Sequence, residues 1–276
     1  MDRVGRLNSM KRFLWVIIFA LTASMTASAQ LYQPGEVLSY RVSYKAKLFP
    51  NTEVATVDVR TTLDTLDGRP HYKVHGRGVT MPAYRWFFMV DDSYYIWADT
   101  LDNRTTRFAS DIREGSYTFR SEYRYDRANG VVNTRWQKKQ LPEQRKTMQI
   151  SEQGMDPVSL YFNLRSEAST SFREGESRRL EMVLEDTVRY LEFRFIGREI
   201  KRIPKMGKFR TLKFKCQIGT SDGFSFTDGT EFSIWITDDD NKFPVYLESP
   251  IRIGSICAYI SKCTGLKYPL DSRVKR

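Results

Sequence analysis

Hydrophobic and polar residues alternate one by one through many short segments of this chain, a period of two that is typical of half-buried β-strands. The clearest case is residues 38–46, where apolar residues and tyrosines occupy one face and two serines, an arginine and a lysine occupy the other. Asp67-Gly68 and Asn129-Gly130 follow such segments and predict tight hairpin turns. We therefore predict a mainly β protein, with a curved antiparallel sheet or a half-open β-barrel.

One segment, residues 154–165, departs from the alternation. Asp156 is suited to cap a helix N-terminus, and Pro157 is suited to the first helical position. Apolar residues then recur at spacings of three and four, among them Tyr161 and Phe162. We predict one short amphipathic helix that lies against the sheet and covers apolar surface.

Residues 81–98 are unusually rich in aromatic side chains. Aromatic residues dominate β-sheet cores, so the segment is interpreted first as part of the main core. The functional interpretation is that these side chains line an apolar ligand cavity, together with aromatic residues of the predicted helix. The candidate ligand-binding residues are then Trp86, Phe87, Phe88, Tyr95, Trp97, Tyr161 and Phe162.

The N-terminal segment, residues 11–30, has the pattern of a cleaved export signal. Basic residues precede a short apolar run, and Ala27-Ser28-Ala29 fits a signal peptidase site, so we predict cleavage between Ala29 and Gln30. No cysteine stands at the new N-terminus to carry a lipid, and no second apolar run is long enough to span a bilayer. These features predict a protein that is soluble in the periplasm, or secreted, after cleavage.

The predicted domain organisation follows from that cleavage. Residues 1–29 form the signal peptide, 30–268 a single mainly β domain, and 269–276 a basic mobile tail; two lobes on either side of a polar loop at 140–151 are the alternative. Residues 1–29 carry four basic residues and one acid, so their loss lowers the formal net charge from +11 to +8. The densest basic run, 201–215, is interpreted as a solvated strand face. Nucleic acid is not an expected partner of an exported protein, despite this charge.

Metal and nucleophile chemistry find little support in the sequence. His71 and His75, the two histidines, would lie about 13 Å apart on a strand, too far to share one metal ion. The three cysteines, Cys216, Cys257 and Cys263, form an odd set that excludes a complete disulfide framework, and buried thiols are the favoured interpretation. We predict no metal site and no cofactor.

Acidic residues are the remaining candidates for chemistry. Asp91-Asp92, the run 238–240, and Glu181 with Glu185 supply carboxylates that a glycosidase would need as a pair. Acids in such positions are more often turn residues. The loop around 238–241 also supplies oxygen ligands for calcium, but it lacks the spacing and the glycine of an EF-hand.

Four segments, residues 34–44, 121–132, 156–165 and 235–260, together resemble the DUF3108 proteins, a bacterial family of uncharacterised function. The resemblance covers nearly the whole predicted mature chain. It implies an exported, mostly β envelope protein, and it supplies no catalytic residue. By shape alone the predicted fold is similar to periplasmic lipoprotein-carrier proteins, an analogy at the level of fold.

Three function classes remain open at this point. The first is a non-enzymatic binding or carrier protein that holds an apolar or lipid-like envelope ligand between the sheet and the helix. The second is an envelope hydrolase that acts on glycan with paired carboxylates. The third is a structural or protein-binding module of the envelope. The oligomeric state and the pairing of the thiols are left undetermined by the sequence.

Overall fold

A computed structural model describes residues 31–46, 49–168, 171–219, 231–250 and 254–275 of the 276-residue chain. The predicted signal peptide, residues 1–29, lies outside the described residues. Within these ranges, no helix is both long and apolar enough to cross a lipid bilayer.

Fifteen strands and one α-helix make up the described chain, apart from a short 3₁₀ turn. The strands before the helix are β1 (Val37–Ala46), β2 (Phe49–Leu66), β3 (Arg69–Thr80), β4 (Asp91–Asp99), β5 (Thr105–Glu114), β6 (Tyr117–Asp126), β7 (Val131–Lys138) and β8 (Gln144–Gln149). The helix α1 spans Pro157–Glu167. The strands after it are β9 (Ser177–Leu184), β10 (Thr187–Ile203), β11 (Gly207–Gly219), β12 (Glu231–Thr237), β13 (Pro244–Pro250), β14 (Ser255–Thr264) and β15 (Arg273–Val274).

All these strands belong to one antiparallel sheet, which confirms the predicted fold class. Its order is β8-β7-β6-β5-β4-β3-β2-β1-β14-β13-β12-β11-β10-β9, with β15 paired to β11. Strands β1–β8 form a meander that is the first half of the sheet, and β9–β14 form a meander that is the second half. The pair β1–β14 joins the two halves. Local pairing of this kind needs only short turns, and Asp67-Gly68 supplies one with φ angles of 51° and 77°.

The two edge strands, β8 and β9, are connected by the segment that precedes the helix. Met155 N donates to Glu181 O at 3.2 Å, and Val183 N donates to Met155 O at 2.8 Å. The chain therefore leaves β8, bonds to β9 and only then enters α1. This places the helix inside the curve of the sheet.

Helix α1 begins as the sequence predicts. The Asp156 carboxylate accepts hydrogen bonds from the backbone N–H groups of Val158 and Ser159 at 3.0 and 2.9 Å. Its packing is more enclosed than that of an amphipathic helix on a sheet surface, because different sides contact different parts of the core. Leu160 packs among residues of β9–β12, whereas Phe162 packs among residues of β3–β7.

A buried ion pair fixes the last turn of this helix. Arg165 Nη1 and Nη2 donate to Glu36 Oε1 and Oε2 at 2.7 and 3.0 Å, and both side chains are less than a tenth exposed. Arg165 Nη2 also donates to Asn241 O at 2.9 Å. One guanidinium thus ties the helix to the segment before β1 and to the turn between β12 and β13.

Two local predictions are wrong. Residues 140–151 are not only a loop, because residues 144–149 form the edge strand β8, whose polar side chains face solvent. The segment 269–275 is not a mobile tail. Ser272 is buried and donates from its backbone and hydroxyl to Asp239 Oδ2, and the next two residues form β15.

The ion pair generates a stability prediction. Arg165→Met leaves the Glu36 carboxylate buried without a counter-charge, so we expect the free energy of unfolding to fall by about 3–5 kcal/mol. Replacing both residues with Met should recover much of that loss, since an apolar pair of similar volume carries no desolvation penalty. Urea unfolding monitored by circular dichroism measures both effects.

The matched control is Arg145→Met, which removes an exposed ion pair of similar length, 2.8 Å to Glu143. We expect it to lower the free energy of unfolding by less than about 1 kcal/mol. Equal effects of the buried and the exposed substitution would contradict the anchoring role of Arg165.

Candidate functional site

The first half of the sheet encloses a cavity of about 910 Å³. Its walls come from β1–β4, the loop between β3 and β4, the first two turns of α1, and β14. The surface is almost entirely apolar, with valines from neighbouring strands and aromatic rings on the opposite side. Typical lining residues are Val42, Val57, Val59, Tyr94, Val158 and Tyr161.

Two glycines of β3 create much of this space. Gly76 lies between Val59 of β2 and Tyr94 of β4, and Gly78 lies one pleat further along the strand. Neither has the positive φ that would require glycine. A Cβ built at Gly76 meets no described atom within 4 Å, and one at Gly78 meets only Val57 Cγ2, at 3.7 Å. The two positions therefore keep volume open rather than relieve backbone strain.

The loop between β3 and β4, residues 81–90, forms one wall and the opening of the cavity. It contains a 3₁₀ turn at Pro82–Tyr84. Phe87 and Phe88 both line the cavity, yet they are 80% and 56% exposed. A side chain that borders the cavity and also meets solvent marks the place where the cavity opens.

The polar groups that line the cavity are either uncharged or already have a hydrogen-bond partner. Burial raises the pKa of Tyr161 and of Tyr94 to about 12, so both phenols carry their protons at physiological pH. The Tyr161 hydroxyl is hydrogen-bonded to the Tyr40 hydroxyl at 2.8 Å, so it has a polar partner where it faces the core. Burial also raises the pKa of Asp92, and the backbone N–H of Arg113, which donates to that carboxylate at 3.0 Å, opposes the shift. Such a surface favours an uncharged, apolar occupant.

The structure brings three of the seven predicted ligand-binding residues to this cavity. Phe87, Phe88 and Tyr161 line it. Trp86 lies on the same loop but is 84% exposed, and Phe162 is fully buried in the core against Tyr32.

Tyr95 and Trp97 lie on the other face of the sheet. Tyr95 stacks on His75 with ring centroids 4.4 Å apart, and Trp97 Nε1 donates to Asp64 at 3.1 Å. The guanidinium of Arg107 lies 4.7 Å from the Trp97 ring. Alternation along β4 explains the separation, because Tyr94 and its even-numbered neighbours face inward while these two residues face outward. Their prediction as cavity residues is wrong.

The candidate acidic residues are engaged in structural contacts. Asp91 accepts two hydrogen bonds from Arg77 at 3.0 and 3.1 Å. Asp238 pairs with Arg198 at 3.2 Å, and Glu181 accepts from the backbone N–H of Ser151 at 2.9 Å. Among the described residues, no three or more histidines, cysteines or acids come together as a metal site, and the three cysteines are free thiols.

The main residues that the sequence interpretation missed are the two glycines. Their signal was present as Gly76 and Gly78 in alternate positions of a predicted strand, where glycine is unfavourable and marks a close approach or an open space. The β2 valines opposite them alternate as strand residues do, but nothing in a single sequence says which side of a strand meets a void.

A protein-family model matches most of this chain. The model of the family described as "Protein of unknown function (DUF3108)" matches residues 39–261. The chain belongs to the DUF3108 family. That match confirms the resemblance found in the sequence and includes every residue that lines the cavity. A search of the curated proteins finds no match.

Among the solved structures that match this DUF3108 protein, one has the same overall architecture over most of its length. It is described as a β-barrel-like protein of the domain of unknown function DUF1849 from Brucella abortus, with a TM-score of 0.53 and 10% sequence identity. The match covers 85% of this chain and 98% of that chain. At this identity the likeness shows the architecture and says nothing about a ligand.

The open space beside Gly76 generates a second stability prediction. Gly76→Val should keep or raise the free energy of unfolding of the ligand-stripped protein, by about 0.5–1 kcal/mol, because valine suits a strand and its side chain enters free volume. As the control, Gly265→Ala should be clearly destabilising, since Gly265 has a φ of 67° and its Cβ would overlap the Gly35 carbonyl. Urea unfolding of both variants tests the difference; a marked loss of stability in Gly76→Val would show that the space is not open.

Proposed function

We propose that this DUF3108 protein is a non-enzymatic binding or carrier protein for an apolar, lipid-like molecule, held in the cavity between β1–β4 and the start of α1. The observation that carries the proposal is the size and character of the cavity: about 910 Å³ of space with an apolar lining. Sites for small molecules and cofactors typically span about 300–1,000 Å³ and are lined mainly by apolar side chains.

The cavity opens to solvent at Phe87 and Phe88, so an empty cavity exposes its apolar lining to water. Exposed apolar surface costs about 25 cal/mol per Å² relative to buried surface. An apolar ligand removes that lining from water, so the lining favours an apolar occupant over solvent.

The opening at Phe87 and Phe88 supports a carrier rather than a permanently bound group. Both rings belong to a loop and not to a strand, so a ligand has a route that leaves the sheet pairing intact. The helix closes the opposite side, where Tyr161 is bonded to Tyr40 and Arg165 is fixed by Glu36. One end of the cavity is thus fixed and the other is open to exchange.

The proposal predicts a bound molecule and a way to displace it. Native mass spectrometry of protein purified without detergent from an exporting host should show a non-covalent apolar adduct that organic extraction removes. Gly76→Leu combined with Gly78→Leu should reduce the occupied fraction about tenfold, because the new side chains fill the space the ligand needs. Binding of the apolar fluorescent probe N-phenyl-1-naphthylamine to extracted protein should fall in parallel.

The matched control is Thr62→Leu, which adds leucine at an exposed position of the neighbouring strand β2. It should retain both the adduct and the probe binding of the wild type. Equal occupancy in the cavity-filling variant, or a wild type that carries no adduct and binds no probe, would contradict the proposal.

We further propose that the protein is exported and acts in the periplasm, supported by the residue pattern of segment 11–30. Cell fractionation followed by N-terminal sequencing should find a chain that begins at Gln30. Ala27→Leu with Ala29→Leu should block that cleavage, because the peptidase site requires small residues. An N-terminus at Met1 in a cytoplasmic fraction of wild-type cells would contradict export.

A further inference from the structure

The exposed part of the loop between β3 and β4 is an apolar surface of four consecutive residues. Trp86, Phe87, Phe88 and Met89 are 84%, 80%, 56% and 41% exposed. Large apolar side chains exposed singly are common on soluble proteins, but a contiguous group marks a surface that contacts another apolar phase. We call residues 85–89 the aromatic tip.

Several donor groups of this loop are already hydrogen-bonded within the protein. The N–H groups of Phe87 and Phe88 donate to Tyr84 O at 3.1 and 3.0 Å, and Trp86 Nε1 donates to Ala83 O at 3.0 Å. At its base, the Met89 carbonyl accepts from Gly115 N at 2.8 Å. Entry into a lipid phase is costly for unpaired polar groups, so these bonds remove part of the penalty, and shallow insertion leaves the loop carbonyls within reach of water and headgroups.

The charge around the tip also suits a membrane surface. Residues 81–90 contain one arginine, Arg85, and no acid, and the predicted mature chain has a formal net charge of +8. Of the acids near the base of the tip, Asp91 and Asp111 are paired with Arg77 and Arg113, and Glu114, opposite Val90, is exposed to solvent. Basic residues are attracted to anionic headgroups, and tryptophan is favoured at the boundary between headgroups and acyl chains.

We propose that the aromatic tip inserts shallowly into an anionic lipid bilayer and docks the protein there. Phe87 and Phe88 line the cavity as well as the tip, so docking places the cavity opening at the membrane surface. Transfer of a lipid-like ligand through that opening rests on the proposed function. The docking itself rests only on the tip, and it is tested separately.

The test is co-flotation of the full exported chain with vesicles of phosphatidylethanolamine and phosphatidylglycerol at three to one. The tip variant combines Trp86→Ser, Phe87→Ser and Phe88→Ser, and we expect its vesicle partition coefficient to fall about tenfold or more. The control combines Leu63→Ser, Leu101→Ser and Ile200→Ser, which removes three apolar side chains that are 62%, 86% and 61% exposed elsewhere on the protein. The control should float as the wild type does.

Two further measurements make the outcome unambiguous. Brominated acyl chains should quench part of the tryptophan fluorescence of the wild type, and Trp86→Phe should abolish that quenching while the protein still floats. Circular dichroism melting curves establish that the tip variant is folded.

The docking proposal is overturned if the wild type does not float, if the tip variant floats equally, or if sedimentation shows that the tip forms a dimer of this chain instead. If the wild type does not float, but the variant with leucine at positions 76 and 78 loses the ligand as expected, only the docking proposal is contradicted. Vesicle binding without any cavity ligand contradicts the carrier function alone.

Discussion

The buried ion pair between Arg165 and Glu36 is the constraint on which the interior of this protein depends. Its oxygen–nitrogen distances are 2.7 and 3.0 Å, and neither charge has ready access to water. Burying two charges is costly unless each satisfies the other, so this pair forms only when the helix, the segment before β1 and the Asn241 turn come together. The position of α1 against the sheet is thereby fixed at its C-terminal end, as the backbone bonds between Met155 and β9 fix it at the other.

A helix held in that place divides the interior into parts that are packed differently. On the side of β9–β12, Phe172, Phe193 and Phe214 pack ring against ring and fill the space. On the side of β1–β3, strand positions 76 and 78 carry no side chain, and the interior stays open. The same sheet thus has a packed core beside β9–β12, a second packed core among β3–β7, and a cavity beside β1–β3.

The sequence predicted the parts of this structure that depend on local chemistry. Strand alternation such as that of residues 38–46, the Asp67-Gly68 turn and the Asp156-Pro157 helix start are decided by residues close together in the chain, and they are found as expected. The outward placement of Tyr95 and Trp97 was also available from alternation, but the aromatic segment was interpreted as one cluster. The burial of Arg165 could not be predicted, because its partner lies 129 residues away in the chain.

The claim most central to this account is that the space beside Gly76 and Gly78 is a ligand site. A crystal structure of the protein purified without detergent from an exporting host tests it most directly. The account predicts continuous electron density for an elongated apolar molecule between the valines of β2 and Tyr161, extending toward Phe87 and Phe88. A structure in which the aromatic loop folds inward and its own side chains fill the cavity would contradict it.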